Sequence, residues 1–337
     1  MEMKHLPAAW KRGTDFLGTK YAILCGAMAW VSDPPLVSAI SNEGGFGVLA
    51  AGNMPPEIFE KSIADTRALT DRPFGVNLIT VAPAFSQNVD VAIANRCPFV
   101  FFAGGIPPAK EIEKVKAAGL KVVCFAPILA LAKRMVRNGV DALVIEGHEA
   151  GGHIGPVATT ILVQEFLPEI TEVPVFVAGG IGTGEMIAHF LSLGASGVQL
   201  GTRFVGAEEC TAHPKFKEAF IRAAARDAMP TTQFDPALPT IPVRALINEG
   251  TKDFNRLQFD LVHKVKAGEM AREEAQVKLE EFWLGALRRA VVDGDVEHGS
   301  VMAGQSVAFV RKVQPVREIL ADLVEGAERE LARMATA

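Results

Sequence analysis

The stretch "GVDALVIEGHEAGGHIG", residues 139–155, decides how the rest of the chain is read. Its centre, "ALVIEG" (142–147), is an apolar run of strand length. Its second half packs two carboxylates, two imidazoles and four glycines into positions 146–155. Glycine weakens the interior of an element, so this half predicts a loop shaped for close approach to something. A buried strand that runs into a loop bearing acid and histidine is where chemistry is expected.

Seven further runs repeat the strand pattern: "AILCGA" (22–27), "FGVLAA" (46–51), "FGVNLI" (74–79), "FVFFAG" (99–104), "KVVCFA" (121–126), "VPVFVAG" (173–179) and "GVQLGT" (197–202). Helical patterns such as "PPEIFEKSIADTRAL", "AKEIEKVKAAG", "ALAKRMVRNG" and "GEMIAHFLSLGA" lie between them. Strands that are apolar almost throughout are buried on both faces, as in a parallel sheet. Eight strand-helix units in the first 200 or so residues predict an α/β fold, a (β/α)8 TIM barrel. A doubly wound open sheet is the alternative, but no GxGxxG follows the first strand.

The pattern stops near residue 208. Residues 210–290 turn helical and charged, with the Pro-rich connector "MPTTQFDPALPTIP" (229–242) inside them. They predict a mostly helical, substrate-binding cap, with residues 1–209 and 291–337 forming the barrel and its C-terminal helices.

Composition bounds the function. Hydrophobic residues make up 49%, enough for a large core, and the net charge of −5 offers no basic surplus for a nucleic-acid partner. No apolar run reaches the roughly 18 residues of a membrane span. The start, "MEMKHLPAAWKRG", lacks the features of a secretory signal. Cys25, Cys97, Cys124 and Cys210 have no CxxC spacing, which fits a reduced cytoplasm and indicates neither a disulfide framework nor a metal site. A soluble, cytoplasmic protein is expected.

Catalytic groups of such barrels collect at the C-terminal ends of the strands. "AGGIGTGE" after the seventh strand and "QLGTRF" at the eighth offer backbone amides to a dianion. Gly179, Gly180, Gly201 and the Thr202 hydroxyl are the predicted phosphate contacts, with Leu200 beside them. "CGAMAW" after the first strand supplies Ala27 and Met28 as a small platform for a planar ring; the plainer reading puts Met28 and Trp30 in the core. Asn77, Glu146 and Gln199 end three apolar strands, and buried polar groups need partners. Among the loop residues, His153 is preferred over His148 and Glu149 as proton carrier, because it follows the double glycine Gly151–Gly152. "DGDVEHGSVMAGQS" (293–306) reads either as a helix connection or as a segment that brings Gly304 and Gln305 back to the mouth.

Together "GAMAWVSDPPLVSAISNEGGFGVLAAGN", "TDRPFGVN", "EGHEAGGHIG", "VAGGIGTGE", "QLGTRFVGAEECTAHP" and "DGDVEHGSVMAGQS" resemble the nitronate monooxygenase superfamily, over about residues 13–325. "MAWV", "ALAKRM" and "SVMAGQ" lean toward its FMN-dependent enoyl-acyl-carrier-protein reductases of the second type. The resemblance implies non-covalent FMN, its phosphate on Gly179, Gly180, Gly201 and Thr202. It implies a ring near Ala27, Met28 and Asn77, with Glu146, Gly151, Gly152 and Gln199 along the polar edge. His153 matches the motif histidine, a base in the nitronate oxidisers, and Gly304 and Gln305 fall in the segment that returns to the flavin. The implied activity is reduction of an enoyl thioester by NADH or NADPH in fatty acid synthesis. Nitronate oxidation with O2 and NADH:quinone reduction are the alternatives. A homodimer is implied, and an acyl carrier protein with acidic helices could meet "HPKFKEAFIRAAAR" (213–226). The chain departs from the family at Cys25 and Ala27, where glutamine and glycine are usual.

Overall fold

A computed structural model describes residues 3–336. Nine strands occupy the first 200 residues: β1 Ile23–Cys25, β2 Phe46–Ala50, β3 Gly75–Ile79, β4 Phe99–Ala103, β5 Lys121–Phe125, β6 Ala142–Glu146, β7 Gly152–His153, β8 Val175–Ala178 and β9 Gly197–Leu200. All but β7 form one closed parallel barrel in the order β1-β2-β3-β4-β5-β6-β8-β9, sealed where Leu24 pairs with Phe46 on one side and Gln199 on the other. Each of the eight lies inside a run expected from the sequence, so the barrel is confirmed and the open sheet is excluded.

The period-2 alternation of a strand sorts its side chains between two cores. Along β4, Phe99 and Phe101 point into the barrel, while Val100 and Phe102 face the surrounding helices. Phe46, Phe99 and Phe101 fill the interior with Leu24, Val48, Val123, Val144 and Phe176, and Phe46 meets Phe99 edge-on at 4.9 Å between centroids. This plug makes the barrel a packed core rather than a pore. The outer core lies under helices such as Pro34–Asn42 and Gly184–Ser192, and the C-terminal helix Val316–Thr336 packs along the latter.

The insertion differs in one respect from the expected helical cap. Ahead of its two long helices, Glu249–Lys266 and Arg272–Val291, it holds two short strands, β10 Ala228–Pro230 and β11 Val243–Leu246. These pair antiparallel with each other, and β11 pairs with β7. The loop after β6 is therefore an edge strand of the cap's own sheet. Strands of two to four residues are too short to leave an alternation signal. The cap has its own core of Leu238, Val243, Phe254, Leu261, Leu279 and Trp283, whereas Phe216 and Phe220 of the helix Pro214–Arg222 belong to the barrel's. Among the described residues no helix is long and apolar enough to cross a membrane.

Candidate active site

Strand parity carries three polar residues to the barrel mouth. Glu146 continues the inward row Ala142–Val144, and Asn77 follows Gly75. Glu146, Ala178 and Gln199 are direct partners across β6, β8 and β9, so they form one rung at the C-terminal end. The Gln199 amide lies against the neighbouring turn, where a Cβ on Gly26 would stand 3.2 Å from its Nε2. Asn77 and Gln199 are only 7% and 6% exposed, and neither side-chain amide bonds to protein among the described residues. Buried polar groups normally find partners, so these two amides at the barrel mouth are free to bond a ligand there.

The Glu146 carboxyl likewise has no protein partner among the described residues. It is half-buried at the mouth but ringed by protein, and burial pushes its carboxyl up to about 7. Near neutral pH it is thus poised between an acceptor and a proton-bearing donor.

The loop after β6 sorts its own residues. His148 donates from Nδ1 to the Gly155 carbonyl at 2.9 Å. The Glu149 carboxylate accepts from the Thr159 amide and lies 2.9 Å from its hydroxyl, holding the start of the helix Thr159–Phe166. Both alternatives to His153 are therefore engaged inside the loop. His153 stays half-exposed on β7, its Nε2 3.2 Å from Glu280 of the cap helix. Arg244 of β11, invisible as a site residue in the sequence, is 1% exposed and clamps this loop to the cap. Its Nε and Nη2 donate to the His148 carbonyl at 3.2 and 3.0 Å, and its Nη1 donates to the Ala228 carbonyl.

The glycine loops meet the same mouth. Gly179 and Gly180 have φ of +93° and +72°, a region that favours glycine. The amides of Gly179, Gly180 and Gly201 have no acceptor among the described residues. The helix after β9 is a single turn, Thr202–Val205, so these amides, rather than a long helix dipole, are what this part of the mouth offers to an anion. Thr202 Oγ1 accepts from the Gly304 amide at 3.0 Å, which leaves its own hydrogen to donate. The Gln305 amide donates to the Glu149 carbonyl at 2.9 Å, so the segment 300–306 does return across the mouth. Gly151 permits this approach: a Cβ there would stand 2.5 Å from the Gly304 nitrogen. Met28 covers Gly201, and Ala27 packs on the barrel interior. Leu200 differs from the other expected contacts, since its side chain is buried in the outer core and only its backbone reaches the mouth. Trp30 is no core residue: it is 49% exposed, has φ of 66°, and faces Arg288 of the cap at 5.9 Å.

Fold and mouth together define a (β/α)8 barrel enzyme with glycine-lined loops around inward polar groups. More particularly, the chain belongs to the nitronate monooxygenase family, whose model matches residues 11–85 and 79–326, and it is an oxidoreductase of that family. It is 29% identical to the (3aS,4S,5R,7aS)-5-hydroxy-7a-methyl-1-oxo-octahydro-1H-indene-4-carboxyl-CoA dehydrogenase of Rhodococcus jostii (strain RHA1), over 94% of this chain and 96% of that one. FabK from Thermotoga maritima superposes with a TM-score of 0.86 at 37% identity, covering 96% and 98% of the two chains. A nitroalkane oxidase from Streptomyces ansochromogenes follows with a TM-score of 0.76 at 25% identity, covering 96% and 99%.

Proposed function

We propose that the chain is an FMN-dependent reductase of enoyl thioesters that draws on NADH or NADPH. The observation that carries the flavin is the pairing of free amides at Gly179, Gly180 and Gly201 with unpartnered Asn77, Glu146 and Gln199. One set suits a dianionic phosphate and the other the polar edge of a flat heterocycle. Likeness to FabK, an enoyl-acyl-carrier-protein reductase, and to a carboxyl-CoA dehydrogenase favours a thioester substrate.

Bound FMN supplies hydride transfer from the nicotinamide to the thioester's β-carbon. The protein's part is positioning and proton handling. Asn77, Gln199 and Glu146 orient the ring by hydrogen bonds, and Gly151, Gly152, Gly304 and Gln305 line the segments that close over it. His153, steadied by Glu280, holds the proton that the substrate's α-carbon receives. The cap supplies apolar surface for the acyl chain. A carrier protein would meet the exposed Lys215, Arg222 and Arg226, since Lys217 is turned inward onto the Ala207 carbonyl. A homodimer in the cytoplasm is part of the same reading.

Crotonyl thioester should stimulate NADH oxidation by the purified protein; no stimulation by any enoyl thioester overturns the reading. The family match and the nitroalkane oxidase neighbour support a second reading, nitronate oxidation, in which His153 takes the substrate's proton. Oxygen uptake with propionate 3-nitronate and without NADH would mark it.

A further inference from the structure

Arg203, next to the predicted phosphate contact Thr202, lies with its side chain only 7% exposed. Its Nε donates to the carbonyl of Gly182, the last glycine of the loop after β8, at 3.3 Å. Its Nη2 donates to Asp322 of the C-terminal helix at 2.9 Å. A surface cleft lined by Gly182, Thr183, Phe309, Arg311 and Asp322 leads to it.

The charges around it do not balance. Burial disfavours the guanidinium's charged form, and among the described residues Asp322 is the one charged group that opposes this, beside the neutral Gly182 carbonyl. Asp322 itself is 65% exposed, where water screens it. The nearby Arg311 adds like charge and has no ion-pair partner among the described residues. A buried cation with one weak counter-ion is costly unless something else answers its charge. If its purpose were only to tie the C-terminal helix to the barrel, an apolar contact would serve as well.

We propose that Arg203 is a positioning residue for the dianionic end of the bound ligand. It fixes the loop Gly179–Gly182 through the Gly182 carbonyl and sets positive charge beside that loop. The proposal rests on the FMN reading above, with Asp322 offsetting the field that the phosphate feels.

Comparing FMN with riboflavin, which has the same ring and no phosphate, separates this role from a structural one. Flavin-free protein is titrated with each by fluorescence quenching. Arg203→Met should raise the Kd for FMN about tenfold, the scale of one lost charge-assisted hydrogen bond, and leave riboflavin within about twofold. Asp322→Asn keeps an acceptor and removes the charge, so it should tighten FMN alone, more strongly at low salt. Equal changes for both flavins, or none, overturn the proposal. Should Arg203→Met fail to fold, Asp322→Asn decides: an FMN-to-riboflavin ratio unchanged at any salt concentration refutes it. Wild-type protein with no preference for FMN over riboflavin would instead refute the phosphate site itself.

Discussion

Replacing Glu146 by glutamine keeps the shape of the side chain and removes its ionisation. Burial raises the carboxyl from its ordinary 4.5 to about 7. Between those values the unfolded chain has lost the proton and the folded chain still holds it. The folded state therefore loses stability as pH rises through this window, and loses no more above it. Each pH unit of separation is worth about 1.4 kcal/mol, so the penalty reaches about 3 kcal/mol at pH 8. Glu146→Gln carries no such penalty. In urea unfolding of the flavin-free protein, the variant should gain on the wild type steadily from pH 5 to 7 and then hold a constant lead. A difference between the two that is flat across this range would refute the burial argument.

Other outcomes follow from the mouth. Asn77→Ala and Gln199→Ala should each weaken FMN binding about tenfold in fluorescence titration. The urea midpoint should barely move, because neither amide bonds to protein. His153→Ala should slow reoxidation of the reduced enzyme by crotonyl thioester by about 10² to 10⁴ in stopped flow while reduction by NADH keeps its rate; equal losses in both half-reactions would contradict a proton-handling role. Gly151→Ala sets a Cβ 2.5 Å from the Gly304 nitrogen. It should cost about 1–3 kcal/mol in urea unfolding and expose the segment 300–306 to protease.

What the sequence made legible was whatever repeats locally. Eight apolar runs marked the barrel because burial on both faces writes itself into consecutive residues, and Asn77, Glu146 and Gln199 stood out as polar ends of such runs. Contacts between distant residues were not legible. The β7–β11 pairing joins residues 152–153 to 243–244, and nothing in "GGH" announces a strand. Arg244 and Arg203 read as ordinary charged residues, and only the folded chain shows them buried, each holding a loop carbonyl. Leu200 could not be told from its neighbours until strand parity turned its side chain outward.

If the ends of separate barrel strands grip one flavin by its phosphate and its polar edge, as proposed, the flavin should stay with the protein through purification. Denaturing the purified protein and identifying what it releases by absorbance and mass tests this most directly. The expected result is a yellow protein that releases FMN, one per chain. A colourless protein that takes up neither FMN nor riboflavin on reconstitution would contradict it.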